Sequence, residues 1–519
     1  MRNRFVLTLA LFSFAFLMGC GGNSPRVAVP PPSGTFSNGS LSGTYLFSSG
    51  GVDANGFFLA VTGSLQANGS GGITGGMIDV NSAAGVSSTP ISSGTYAITA
   101  DGRGTATLAA NTPLSSSITL NFVLTSSSHG LVTEFDSFAT GSGTIDLQSS
   151  GALQSSYAFG LSGISVSGNT EVSFSMAGAF TVDGTGTITS GIADINNNGN
   201  STGTMAFALT GTVAAGTPGT ASLTTPSGTF NFHVYMVNPT HLKFIETDAV
   251  PAIMGDAFTQ QASVPAGVLT YTMQGADVAG NPLGMGGFVT SDGTSVISGG
   301  LEDYNDAGNV ASVSGFNGSY TALSGGRAVV TLNSFYNGAN GIVSPTVTFA
   351  AYPTTGGIQL LEIDSAGLTG GVAFAQTATS FAASQGYGLN LTAFNGRGFE
   401  EDDIAEFSVT GSTFRGLLDV NDQGSRTRAD SFSGTFTTDT AIAGHGSASS
   451  NRFNYNYYVV SGSTILALET DNNQVGVGGF ELQTPPQQGA GVGVAEAHAH
   501  FMVVRPKAGA RTSRKSLNN

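Results

Sequence analysis

Three short phrases recur four times, in the same order, along this 519-residue chain. The first, Gly-x-x-Asp-x-Asn, ends in Asp79/Asn81, Asp194/Asn196, Asp303/Asn305 and Asp419/Asn421, at intervals of 115, 109 and 116 residues. The second, Glu-x-Asp, falls at Glu134/Asp136, Glu246/Asp248, Glu362/Asp364 and Glu469/Asp471. The third is a Tyr near the start of each copy: Tyr45, Tyr157, Tyr271 and Tyr387. Repeats of 20–50 residues build solenoids and propeller blades, whose units share a core. A period near 112 is long enough for a unit with a core of its own. The expected organisation is four domains, at 41–148, 149–263, 264–378 and 379–484, and each is expected to fold alone.

Each copy reads as β structure. Charged residues make up 9% of the chain and Gly contributes 76 residues, yet 34 Phe and 13 Tyr supply apolar surface worth burying. Such a chain is globular rather than disordered, and its Val, Thr, Phe and Tyr favour strands over helices. In the second copy Tyr157-Ala-Phe159-Gly-Leu161 alternates, and Ala179 to Val182 runs into Asp183-Gly184, a hairpin signal. Further apolar runs follow at 187–189, 206–209, 220–223, 230–237, 241–247 and 257–259, around a turn at Asp194–Gly199. About eight short-linked strands make an antiparallel meander. The expected fold class is all-β: four tandem meanders closing as small up-and-down barrels, with immunoglobulin-like sandwiches as the alternative. Closure is favoured because so few charges are available to guard exposed strand edges.

The N-terminus carries a basic pair, Arg2 and Arg4, an apolar run from Phe5 to Met18, and then Leu17-Met18-Gly19-Cys20. The run is too short to span a bilayer and has the dimensions of a signal peptide core. These residues resemble the lipobox of bacterial lipoproteins. The resemblance implies a signal peptide over 1–19, lipidation of Cys20, which is the sole cysteine, and a membrane partner held through the N-terminal lipid. Gly21, rather than Asp, follows the Cys, which in that family implies the outer membrane or cell surface. Residues 20–40, with Pro30-Pro31-Pro32, are expected to form the tether. The opening Gly43-Thr44-Tyr45 and the Asn68-Gly69 and Asp183-Gly184 hairpins resemble avidin-like and lipocalin-like barrels. Those families place a Trp after the opening Gly, and this chain contains none, so the resemblance implies a fold and not biotin binding.

Asp194, Asn196 and Asn198 begin a calcium-loop pattern that ends at Gly199, but the twelfth position is Met205 instead of a bidentate Glu. Asp and Asn also cap turns through their own backbone. The turn reading is preferred, and it puts Asp194→Ala at about 0.5–2 kcal/mol. Glu-x-Asp sets two carboxylates on one strand face. Its fourfold recurrence points to architecture rather than to paired-carboxylate catalysis. Arg103 and Arg327 occupy matching positions and are candidate partners for its Glu, where the other copies have Pro218 and His445. Glu400-Glu401-Asp402-Asp403, with Glu406, is expected to be a solvated loop, with cation or partner binding as the alternative. His498-Ala-His500 offers two metal donors inside a basic 485–519 tail, which is expected to be flexible or to attract acidic lipid or polysaccharide.

A formal net charge of −16 argues against a nucleic-acid partner. No nucleophile motif stands in the strand-to-helix context it needs, and nothing calls for a cofactor. The expected function is a non-enzymatic, lipid-anchored surface protein, structural or adhesive, that engages a surface partner or polysaccharide. The alternative is a small-ligand binder using barrel interiors.

Overall fold

The computed structural model describes residues 35–486, apart from 168–169, 278, 335, 338–342, 345 and 396–397. Cys20, the signal peptide, His498, His500 and the basic tail lie outside the described residues. No α-helix occurs among the described residues. The chain there is antiparallel strand joined by short turns.

Four large sheets follow one another along the described residues, with a two-stranded sheet, Tyr336–Asn337 with Val343–Ser344, beside the third. The third, from Gly267–Asp277 to Gly367–Ala375, and the fourth, from Gly386–Asn395 to Gln474–Leu482, are closed eight-stranded barrels. The first runs from Ser42–Asp53 to Ala139–Leu147. It closes through Gly72–Ser82, which pairs with Phe58–Asn68 on one side and with Ser93–Ile98 on the other. The second, from Ser156–Ser167 to Ala252–Thr259, is drawn shut by the short pairing Ile192↔Ala208 and Ala193↔Phe207, the bridge Thr187↔Thr212 and bonds such as Leu209 N–H to Gly191 O at 2.9 Å. We refer to these as barrels 1 to 4.

Each barrel is filled by its own apolar cluster. The Tyr of each opening strand sits inside it, fully buried. Tyr45 donates its hydroxyl to Ser127 O and Tyr157 to Pro239 O, both at 2.6 Å, so the ring adds apolar volume while its polar tip stays satisfied. In barrel 3 the packing leaves a gap of ≈ 40 Å³ between Tyr271, Phe349 and Leu360, far below the roughly 300 Å³ that a small-molecule site needs.

The strands are longer than the sequence pattern suggests, up to 14 residues. The reason is visible in Ser42–Asp53, where the last nine residues are buried whichever way they point. Outward faces of neighbouring barrels pack on one another, so period-two alternation is suppressed. Leu46, Phe58, Tyr235 and Met254 join barrels 1 and 2; Ala158, Ala179, Tyr352 and Leu361 join 2 and 3; Phe288, Phe374, Tyr458 and Leu468 join 3 and 4. Val123 and Leu131 meet Ile404 between barrels 4 and 1. Glycine permits the approach: a Cβ on Gly286 of barrel 3 would lie 2.5 Å from the Tyr458 ring of barrel 4.

One expected boundary moves. The tether ends earlier than residue 40, because Phe36 and Leu41 enter the core of barrel 1 and Tyr96 donates to Asn38 O and Leu41 O. At the other end Gln483 donates to Asp101 O and Leu124 O, and Thr484 to Thr125 O, so the segment leaving barrel 4 is stitched to barrel 1.

Candidate functional site

The Asp-x-Asn phrase lies at the end of the third strand of its barrel, as in Ile188–Asn197. Asp194 and Asn196 are therefore strand residues, and the turn begins only after Asn197. Asn198 and Gly199 take φ of 53° and 82°, and Ala307/Gly308 and Gln423/Gly424 repeat that pair of positive values. This is the two-residue hairpin geometry that matches strand twist. Asn196 does serve the turn, since its Oδ1 accepts from Gly199 N–H at 2.9 Å. Its amide and the Asp carboxylate, however, point at the next barrel.

There they form a joint that recurs four times. Asp194 accepts from Arg327 Nε at 2.6 Å and Nη2 at 2.7 Å, and from the Tyr352 hydroxyl at 2.6 Å, all in barrel 3. Asn196 donates to Glu362 O and Gly367 O. In the joint before it, Asp79 accepts from His233 and Tyr235, both at 2.7 Å, and Asn81 donates to Glu246 O and Asp248 O. In the one after it, Asp303 meets His445, Asn456 and Tyr458, and Asn305 donates to Glu469 O, Asp471 O and Gln474 O. The fourth joint runs backwards along the chain. Asp419 of barrel 4 pairs with Arg103 at 2.7 Å and Asn121 at 2.9 Å in barrel 1, and Asn421 donates to Glu134 O, Asp136 O and Ala139 O. Barrel 1 has Val123 where the others have Tyr, and Arg426 and Arg428 of barrel 4 reach across over Phe135 instead. Each barrel thus docks on the next, and the fourth docks on the first. The four barrels close a ring.

The metal candidates separate accordingly. Asp194 is committed to Arg327 and Tyr352, the Asn196 amide is a donor, and Asn198 is exposed at the turn tip. Arg103 and Arg327 partner the Asp of the Asp-x-Asn phrase in a neighbouring barrel, rather than the Glu of their own Glu-x-Asp. No group of three His, Cys, Asp or Glu among the described residues is placed to hold a metal ion. Replacing Asn305 by Ala is expected to remove both N–H donors that reach across the joint and the Oδ1 acceptor of Gly308 N–H, and to lower stability by about 2–3 kcal/mol, at roughly 1 kcal/mol per bond. Urea melts of the two proteins measure it.

The two carboxylates of Glu-x-Asp part company. The Asp reaches the neighbouring strand, Asp364 accepting from Thr348 N–H at 2.6 Å and Asp248 from Asn231 N–H at 3.1 Å. The Glu is buried in every copy. Burial pushes Glu246 up to about 10 and Glu469 up to about 8, with Asp248 in the first case and Asp471 in the second adding to it.

A second polar line crosses three barrels, and nothing in the sequence pattern announces it. Glu481 of barrel 4 lies 3.3 Å from His129 of barrel 1, which contacts Asp146 at 2.6 Å. Asp146 lies 3.0 Å from Lys243 of barrel 2, and Lys243 lies 3.5 Å from Asp256, which His241 contacts at 2.7 Å. Lys243, one of three lysines in the chain, is fully buried. Burial opposes charge on His129, but Glu481 and Asp146 outweigh it and raise the imidazole to about 9.

No protein-family model and no curated protein matches the chain. Among solved structures it is similar to intact Ap-TbpB with its N and C lobes, at 11% identity and a TM-score of 0.16, over 69% of this chain and 84% of that one. It is also similar to the alcaligin outer membrane receptor FauA of Bordetella pertussis, at 9% identity and a TM-score of 0.12, over 85% of this chain and 76% of that one. Neither score reaches the level of a shared fold, and the chain's own strand pairing carries the description of its barrels.

The acidic run of the fourth copy is not a loop. It opens the strand Glu400–Thr410, with Glu400, Asp402, Asp403 and Glu406 all buried. Alternation divides it. Asp402 faces barrel 1 and accepts from Thr140 and Ser142 at 2.8 and 2.7 Å. Glu401 and Asp403 face inward and line a cavity of ≈ 360 Å³ at the end of barrel 4, with Asp422, Asp430, Glu469, Asp471, Arg452 and Phe453 among the other walls.

Proposed function

We propose that this is a lipid-anchored surface protein whose ring of barrels acts as one rigid structural or adhesive unit, and that it works without catalysis. The observation that carries this reading is the ring closure. Ionic and amide groups of the repeated phrases hold barrel to barrel, which is what a rigid display body requires and a catalytic centre does not. Four barrels fixed in one body also present four related surfaces at constant spacing, so weak contacts to a surface partner or polysaccharide add as avidity. The lipobox residues Leu17 to Cys20 support the anchor.

The expected result is that mature protein partitions with membranes and that Cys20→Ala releases it into the soluble fraction. Mass spectrometry of native protein showing unmodified Cys20 in a soluble pool overturns the anchor. The small-ligand alternative finds filled cores in the barrels, and one cavity favours it in altered form.

A further inference from the structure

We propose that the cavity at the end of barrel 4 is a binding site for an organic cation carrying an alkylammonium or guanidinium group. The proposal deepens the adhesive reading by giving it a ligand chemistry, and its test is independent of the anchor.

Four repeats of one barrel provide an internal control. Glu401 pairs across the sheet with Asp422, and Asp403 with Val420. The same two places, in the same register, hold Leu59 and Val61 in barrel 1, Phe174 and Met176 in barrel 2, and Leu283 and Met285 in barrel 3. All six of those side chains are buried core. Barrel 4 alone replaces two apolar core residues with carboxylates, a change that burial makes unfavourable unless something compensates it.

Little in the protein does. Asp403 is 1% exposed and its Oδ1 has no hydrogen-bond partner, while Glu401 accepts from Gln474 at 3.3 Å. Six carboxyl groups line the cavity against a single cation, Arg452, which sits at its rim in an ion pair with Asp430. Burial, and then the charges of Glu401 and Glu469, push Asp403 well above the usual carboxylate range, a penalty that a bound cation relieves. The carboxylates are spread around the walls rather than gathered at a point, and they form no metal-holding group. A bare metal ion therefore fits poorly. A cation with several N–H donors and an alkyl stem fits well, because Leu418, Val420 and Phe453 supply apolar wall beneath the charges.

The test is calorimetric titration of the full mature chain at low ionic strength with two probes. Spermidine represents a free polyamine, and a capped Gly-Lys-Gly peptide represents a basic side chain presented by a partner. Binding of either supports the site, and the stronger of the two identifies the source. E401Q/D403N, which keeps shape and removes charge, is expected to weaken binding at least about tenfold. E401L/D403V, which installs the residues of barrel 1, is expected to abolish binding while raising the melting temperature. Arg452→Ala, which removes the resident competitor, is expected to tighten binding about threefold. No binding of either probe at millimolar concentration, binding unchanged in E401Q/D403N, or calcium chloride binding more tightly than both probes overturns the proposal.

Discussion

Replacing Asp194 by Ala is expected to lower the stability of the barrel body by about 3–5 kcal/mol, the range for breaking a buried ion pair from one side. A turn-capping role would limit the loss to about 0.5–2 kcal/mol. The larger figure follows from what is left behind. Arg327 is 2% exposed and Tyr352 is fully buried; Tyr352 loses its acceptor, and Arg327 loses its only carboxylate, keeping just the bond from Nη1 to Thr204 O, so a guanidinium is left without a counter-charge in a buried joint. Barrel 2 is also the one with no continuous ladder along its seam, so it has the least to spare. Urea melts of wild type, Asp194→Ala, Arg327→Met and the double variant form the measurement. The double variant is expected to recover part of the loss, because removing both partners leaves no orphaned charge. A loss under about 1 kcal/mol in Asp194→Ala would return the residue to a local turn role.

The second large effect is on pH. Glu246, Glu406 and Glu469 are raised by burial to about 10, 8 and 8, well above their unfolded values, so the folded protein holds protons there that the unfolded chain releases. Their contribution is complete below the unfolded value near 4.5 and is lost as pH rises through the folded values. His129, raised to about 9, acts in the same sense: its contribution is present below about 6.5 and lost as pH climbs through 9. Asp303 runs the other way. Burial opposes its charge, but His445, Ser312 and Tyr458 outweigh that and hold the carboxyl below its ordinary value, so its contribution disappears in acid. Stability should therefore be highest near pH 5. Each proton released on unfolding tilts the curve by about 1.4 kcal/mol per pH unit. The melting temperature is expected to fall by at least roughly 5 °C between pH 5.5 and 8.5. A flat or rising profile over that window would mean that the buried carboxyls are solvated.

Much of the architecture follows from local pattern. Four copies of three phrases set the number of barrels, and Tyr45, Tyr157, Tyr271 and Tyr387 mark the opening strand of each because every barrel buries the same ring at the same place. Closure as barrels rather than sandwiches follows from a chain with too few charges to protect open edges. Strand lengths were less legible, since alternation fails wherever a second barrel covers the outer face. The acidic run at Glu400 to Asp403 looked solvated because four adjacent carboxyls resemble a loop in composition. A strand sends alternate members to opposite sides, one to barrel 1 and two into the cavity.

What only the tertiary structure decided is the ring. The partners of the Asp-x-Asn carboxylates stand 133 to 316 residues away along the chain. They also differ in kind from joint to joint: Arg327 in one, His233 and His445 in two others, Arg103 with Asn121 in the last. A repeated phrase shows that a residue has the same place in every barrel, but it carries no information about what faces that place from outside. That depends on how outward faces meet, and those faces interleave large side chains such as Phe58, Tyr352 and Tyr458 with alanines and glycines whose fit is a matter of shape. The last joint, between barrel 4 and barrel 1, exists because three earlier joints turn the chain through successive angles that bring its ends together, and no local segment encodes that sum.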